Sequence, residues 1–276
     1  MLSSKYHRRR KGHNVRLIAT ADGFGRIEDD TFVPMWGSAA DFYAGRNPQD
    51  SPGRSLDDVV VLSPSPHPSK VVCVGLNYRD HAEEAGQPIP QVPILFPKFA
   101  NSICGPGEVR IPAAVQSCDY EAELAVVIGQ RASRVSVAHS LDHVAGYCCA
   151  NDVSSRDLQF ETAQWLRGKA VDGFLPLGPW LLTVDEVSDP QSLDIRCEVN
   201  GELRQRSSTA NMIFGVADLI SFISQTCTLE AGDVIITGTP FGVGMGFDPP
   251  RYLSAGDVVT VAISGLGSLV TTFVQE

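Results

Sequence analysis

Six short runs rich in Val and Ile set the limits on what this chain can fold into. They are Val15 to Ala21, Lys70 to Val74, Glu123 to Ile128, Leu193 to Val199, Asp233 to Thr237 and Asp257 to Ile263. Branched side chains pack well on a pleated surface, and Gly, Pro, Asn or Asp brackets most of the runs, so each is predicted as a strand. Val199-Asn200-Gly201-Glu202 predicts a hairpin, because Asn-Gly suits the positive φ angles of a type I′ turn. Helices are fewer. Asn77 to Ala85 is one, with Asn77 as its N-cap. Asn211 to Gln225 is another, where Ile213, Val216, Leu219, Ile220 and Ile223 form a stripe of helical period. The expected class is mixed β with some α.

The chain has 276 residues, enough for one large domain and a small appendage. Prolines 48, 52, 64, 66 and 68 sit among polar neighbours and read as a linker. The expected organisation is a basic, disordered tail over 1–14, a small β-rich N-terminal module with its linker over 15–69, and a large β-rich domain over 70–276. No apolar run approaches the roughly 18 residues of a membrane span, and the polar, basic start does not resemble a secretory leader. The net charge is −10; the first sixteen residues carry six Lys/Arg and no acid, so the remainder carries −16. An acidic body argues against nucleic acid as the partner. Seven cysteines, an odd number with no Cys-x-x-Cys pair, suit buried thiols in a reducing cytoplasm.

Five segments carry candidate chemistry. In Tyr120-Glu121-Ala122-Glu123-Leu124, the two glutamates are two apart on a predicted strand and share a face, roughly 6–7 Å apart at Cα. Two such carboxylates repel unless protonated or bridged by a cation; on an edge strand they would instead face water. An apolar run ending at Asn151-Asp152 places Asp152 either as a third metal ligand or as the cap of the next helix. His81 and Glu84 are three apart on a predicted helix, where the carboxylate would orient the ring for proton transfer or form a surface ion pair. Lys169, in a stretch rich in Gly and Pro, reads as an enolate stabiliser or a surface lysine. Thr237-Gly238-Thr239-Pro240-Phe241-Gly242-Val243-Gly244 allows close backbone approach to a ligand, yet lacks the Gly-Lys-Ser/Thr of a phosphate loop.

Taken in this order, the segments resemble the fumarylacetoacetate hydrolase superfamily from about Val71 to Phe273. The most specific matches are residues 120–124, Asn-Asp-Val-Ser-Ser-Arg-Asp-Leu-Gln over 151–159, Gly168-Lys169 and residues 237–244. The resemblance implies a β-sandwich roll with a barrel-like large domain, usually a homodimer. It implies Mg²⁺ or Mn²⁺ on Glu121, Glu123 and Asp152. It implies water activation by His81 and Glu84 on a lid, enolate stabilisation by Lys169, and substrate contacts from Tyr78, Arg156, Gln159 and Thr239. The expected activity is hydrolysis of a C–C bond in an acylpyruvate-like oxo-acid. Isomerisation, decarboxylation or dehydration of oxo-dicarboxylates or 3-deoxy-2-oxo sugar acids is the alternative on the same site. Two positions depart from many relatives: Leu76 replaces an arginine, and Ala170-Val171 replaces Ser-Phe. Both point to a less polar acyl group.

Overall fold

Alternation along one buried strand organises the molecule. The computed structural model describes residues 15–35, 37–45 and 51–276, so the basic tail over 1–14 and Pro48 lie outside the described residues. In chain order the strands are β1 (Arg16–Thr20), β2 (Gly23–Glu28), β3 (Thr31–Pro34), β4 (Arg54–Ser55), β5 (Val61–Leu62), β6 (Val71–Gly75), β7 (Ile94–Lys98), β8 (Ile103–Cys104), β9 (Gly107–Ile111), β10 (Cys118–Asp119), β11 (Ala122–Ile128) and β12 (Val144–Asn151). They continue with β13 (Ser154–Ser155), β14 (Leu175–Thr183), β15 (Asp194–Val199), β16 (Glu202–Ser208), β17 (Val234–Ile236), β18 (Val258–Ile263) and β19 (Gly267–Gln275). The helices are α1 (Ala39–Tyr43), α2 (Arg79–Glu84), α3 (Val137–Ser140), α4 (Arg156–Gln159), α5 (Leu166–Lys169) and α6 (Val216–Ser224). All six Val/Ile-rich runs are strands.

The larger sheet runs β4-β3-β2-β1-β14-β12-β11-β17-β6-β7, with β5 beside β1 and β8 beside β14. It is open, because no pairing joins its two ends among the described residues. The smaller sheet runs β16-β15-β18-β19-β9. The N-terminal strands extend the large sheet, since β1 pairs antiparallel with β14. The proline-rich stretch contributes β4 and β5, which pair with β3 and β1.

Strand β11 is buried on both faces, which is why it reads as an unbroken apolar run. Its even-numbered residues, Leu124, Val126 and Ile128, meet Ile195, Val261 and Phe273 of the smaller sheet and Leu219 and Ile223 of α6 in one core. Its odd-numbered residues, Ala125 and Val127, meet Cys73, Ile236, Cys148 and Ala150 in a second core on the opposite face. Successive strand side chains point to opposite faces, so Glu123 and Glu121 continue the second face toward the strand's beginning.

Two helix expectations are corrected. Helix α2 begins at Arg79 after Tyr78, and Asn77 is not its cap. The Asn77 amide instead donates to the carbonyls of Phe214 and Thr237 and accepts the Phe214 N–H. Helix α6 begins at Val216 with Gly215 as its N-cap; Thr209–Asn211 form a separate 3₁₀ turn, and the Ile213 N–H bonds the Asn77 carbonyl. The hairpin is as expected: Asn200 and Gly201 have φ of 53° and 77° between β15 and β16.

A candidate metal centre beside a histidine–glutamate pair

The carboxylates of Glu121, Glu123 and Asp152 come together at one end of the central strands. Each offers an oxygen, and the three oxygens lie within 4.8 Å of one another. Backbone pairing explains the convergence. Glu123 is in register with Ala150, and Asp152 follows two residues later on the same face. The Asp152 N–H bonds the Glu121 carbonyl at 2.9 Å, and the Glu121 N–H bonds Asn151 Oδ1 at 2.9 Å. The edge-strand alternative fails because β11 lies between β12 and β17. The capping alternative fails because α4 follows Ser155 rather than Asp152.

Three cations stand against these acids. Lys169 Nζ lies 2.6 Å from Glu121 Oε2 and 3.0 Å from Asp152 Oδ2. Arg156 reaches Glu121 Oε1 at 2.7 Å and Asp119 Oδ2 at 2.8 Å. Lys98 Nζ lies 2.9 Å from Asp152 Oδ1. Burial works against charge on Glu121, but Lys169 and Arg156 outweigh it and bring its pKa down to about 2. Burial likewise opposes the Lys169 ammonium, and Asp152 and Glu121 overcome it, so its pKa is raised. Glu123 makes no such ion pair among the described residues, and Lys169 offsets its burial only in part. Burial first, then repulsion from Asp152 and Glu121, drives its carboxyl well above the usual range; its hydrogen bond is from the Gly238 N–H.

His81 and Glu84 sit beside this cluster on α2. His81 Nδ1 is 2.8 Å from Glu84 Oε2, and Glu84 bonds Gly242 of the same glycine-rich loop whose Gly238 N–H bonds Glu123. The helix is tied down at three points. Glu84 Oε1 accepts the Gly242 N–H at 2.8 Å, Asp80 accepts the Ser207 hydroxyl at 2.5 Å, and Arg79 donates to the Met212 carbonyl at 2.7 Å. Gly242 has φ of +93°, and a Cβ there would meet the Arg204 carbonyl at 2.2 Å, so only glycine fits this turn.

Tyr78 is fully buried, and its hydroxyl has no hydrogen-bond partner among the described residues. Burial and then the nearby Glu123 carboxylate raise its pKa. Gln159 Oε1 accepts from Arg156 Nη1 at 3.0 Å, while Arg156 Nη2 is buried without a hydrogen bond. The Thr239 hydroxyl is committed within the protein: it donates to the Ala122 carbonyl and accepts from Gln205 Nε2, each at 2.9 Å.

The comparisons fit this arrangement. The model of the fumarylacetoacetate (FAA) hydrolase C-terminal region matches residues 70–274. The chain belongs to the fumarylacetoacetate hydrolase family. The oxaloacetate tautomerase fahd2, mitochondrial, of Xenopus laevis is 48% identical over 218 residues, covering 78% of this chain and 68% of that protein. The fumarylacetoacetate hydrolase of Exiguobacterium antarcticum is 37% identical with a TM-score of 0.83, covering 95% of this chain and all (100%) of that one. The 2-hydroxyhepta-2,4-diene-1,7-dioate isomerase of Mycobacterium marinum is 36% identical with a TM-score of 0.80, covering 96% and 99%.

The donor set fits the divalent cation that the family resemblance implies. Oxygen ligands suit a hard ion such as Mg²⁺ or Mn²⁺. The ammonium of Lys98 gives its three protons to the carbonyls of Val153, Lys169 and Phe174. Asp152 Oδ1 therefore has a charge beside it but no hydrogen bond, and its lone pairs are free. Glu123 is the carboxylate of the three without an ion pair among the described residues; Lys169 acts on it only at longer range. Four acids, Asp119, Glu121, Glu123 and Asp152, face three bases, Lys98, Arg156 and Lys169, so a divalent ion would supply the charge that lets Glu123 ionise beside the other acids.

Three residues with structural work in the site carry no mark in the sequence segments read above. Lys98 is the first. Asp119 is the second: Oδ1 accepts the Gly244 N–H at 2.7 Å, and Oδ2 accepts the Met245 N–H at 3.0 Å while pairing with Arg156. Gln205 is the third, bridging the Ala122 N–H to Thr239 and the Pro240 carbonyl. Their partners are mostly backbone groups distant in sequence, so no local spacing announces them.

Proposed function

We propose that this enzyme moves a proton at the carbon next to the 2-oxo group of a small oxo-dicarboxylate, interconverting its keto and enol or double-bond isomers. The observation that carries the reading is the His81–Glu84 pair docked on the loop that also bonds Glu123. With Nδ1–H donated to Glu84, the His81 Nε2 lone pair is the free base. His81 would take the proton from the carbon and return it to the other end of the enolate, and Glu84 would stabilise the imidazolium between the two steps. A divalent ion on Glu121, Glu123 and Asp152 would supply a Lewis acid that polarises the oxo group.

Lys169 would place its ammonium where negative charge develops on oxygen. The unpartnered Nη2 of Arg156, oriented by Asp119 and Gln159, would grip a substrate carboxylate. Tyr78, with its buried and unpartnered hydroxyl, would donate to a substrate oxygen. Thr239 would contribute through its position rather than its hydroxyl proton, which Ala122 already holds. The names of the Xenopus tautomerase and the Mycobacterium isomerase support the reading, since both describe such proton transfers.

A second reading keeps the site and adds water: the same His81–Glu84 pair would activate it for C–C hydrolysis of an acylpyruvate. The likeness to the Exiguobacterium hydrolase favours it. Assays of enol-oxaloacetate ketonisation and acylpyruvate cleavage, with wild type and His81→Ala, separate the two. The proposal expects ketonisation that falls by roughly 10²–10⁴ in the variant, the usual worth of a general base. Acylpyruvate cleavage without ketonisation would move the assignment to the hydrolase.

A further inference from the structure

Lys98 ends the edge strand β7, yet its side chain is fully buried beneath the candidate metal centre. Its ammonium draws together three carbonyls from separate segments: Val153 at 2.9 Å, Phe174 at 2.8 Å, and Lys169. Val153 directly follows Asp152, and the Lys169 carbonyl closes α5. The two catalytic side chains these segments carry meet again above, where Lys169 Nζ bonds Asp152 Oδ2 at 3.0 Å. Lys98 thus closes a ring through Lys169, its ammonium, Asp152 and back through Val153.

We propose that Lys98 is a positioning residue for the proton transfer: it fixes the Lys169 ammonium relative to Asp152 without touching substrate. Its charge offsets Asp152, but a cation 2.9 Å from a metal-ligating oxygen also opposes metal binding. Geometry is the further benefit. A tetrahedral ammonium satisfies three carbonyls and still leaves Asp152 Oδ1 free of hydrogen bonds. An arginine keeps the charge but presents a planar fork, which does not reproduce that arrangement. The inference rests on the assignment of Lys169 to the reaction.

The test compares Lys98→Met, Lys98→Arg and Lys169→Met with wild type in full-length protein. Mn²⁺ binding is read by electron paramagnetic resonance, and kcat and KM are read on enol-oxaloacetate. Lys98→Met is expected to bind Mn²⁺ at least as tightly as wild type while kcat falls about 100-fold and KM moves less than about threefold, the pattern of lost alignment. Lys98→Arg is expected to bind Mn²⁺ and to lose kcat as well. Wild-type kcat in either Lys98 variant, beside a loss in Lys169→Met, overturns the positioning role and leaves the assignment of Lys169 standing. Wild-type kcat in Lys169→Met overturns the assignment itself. If neither Lys98 variant binds Mn²⁺, Lys98 serves the fold and the proposal is wrong.

Discussion

Glu84 holds His81 with one oxygen and the Gly242 N–H with the other, each at 2.8 Å. One carboxylate therefore both orients the His81 ring and docks α2 against the glycine-rich loop. Glu84→Gln keeps the shape but not the charge that, in the proposed reaction, stabilises the imidazolium. We expect kcat to fall by about 10²-fold with little change in Tm, read by steady-state kinetics and thermal melting. Glu84→Ala should also lower Tm, because the Gly242 N–H loses its acceptor.

Metal binding should stabilise the protein and should depend on Glu123. At a Mg²⁺ or Mn²⁺ concentration 100 times Kd, binding to the native state alone contributes about 2.7 kcal/mol. The rise in Tm on adding the ion should be present in wild type and lost in Glu123→Ala. Activity should vanish with chelator and return with the ion. Full activity in chelator would remove the ion from the chemistry.

Gly168 lies in α5 where a Cβ would meet the Ser155 carbonyl at 2.4 Å and the Gln159 N at 2.5 Å. Gly168→Ala removes no polar group, yet it must push α5 from α4 and carry Lys169 and Gln159 with it. Overpacking of this kind costs about 1–3 kcal/mol. Denaturant melts should show that loss, and kcat should fall although every side chain of the proposed site remains.

Asp157 gives an acid-sensitive contact away from the metal ligands. Burial is the largest single influence and opposes its charge, but the Ser155 hydroxyl and the N–H groups of Gln116 and Ser117 together outweigh it and lower its pKa from the model-compound value of 3.8. Its folded pKa lies below the unfolded one, so its stabilisation is fully present above about 3.8 and fades as pH falls through the lowered value. Asp157→Asn should melt below wild type at neutral pH, and the two should converge in more acidic buffer. A gap that persists at low pH would assign the effect to shape rather than charge.

The parts of the fold legible in the sequence are those whose cause is local. β11, β17 and β18 show as apolar runs because their own residues are buried, and the Asn200-Gly201 hairpin shows because its turn needs positive φ. β14 was obscured by Pro176, Gly178 and Pro179, which argue against a central strand, although it pairs with β12 and β1. Glu121 and Glu123 show a shared face by spacing alone; whether that face is covered depends on β12, β17 and Asp152. Asn77 looks like a cap because it precedes a helix, but its partners Phe214 and Thr237 lie more than a hundred residues away. Lys98 is recognisable only from three carbonyls, which no residue type encodes.

The measurement that tests the account most directly follows deuterium entering the carbon next to the oxo group of oxaloacetate in D₂O by NMR, with Mg²⁺ present. The account predicts that wild type accelerates exchange over buffer without breaking a C–C bond, and that His81→Ala loses the acceleration. Equal exchange by His81→Ala, or acylpyruvate cleavage by a wild-type enzyme that does not accelerate exchange, would contradict it.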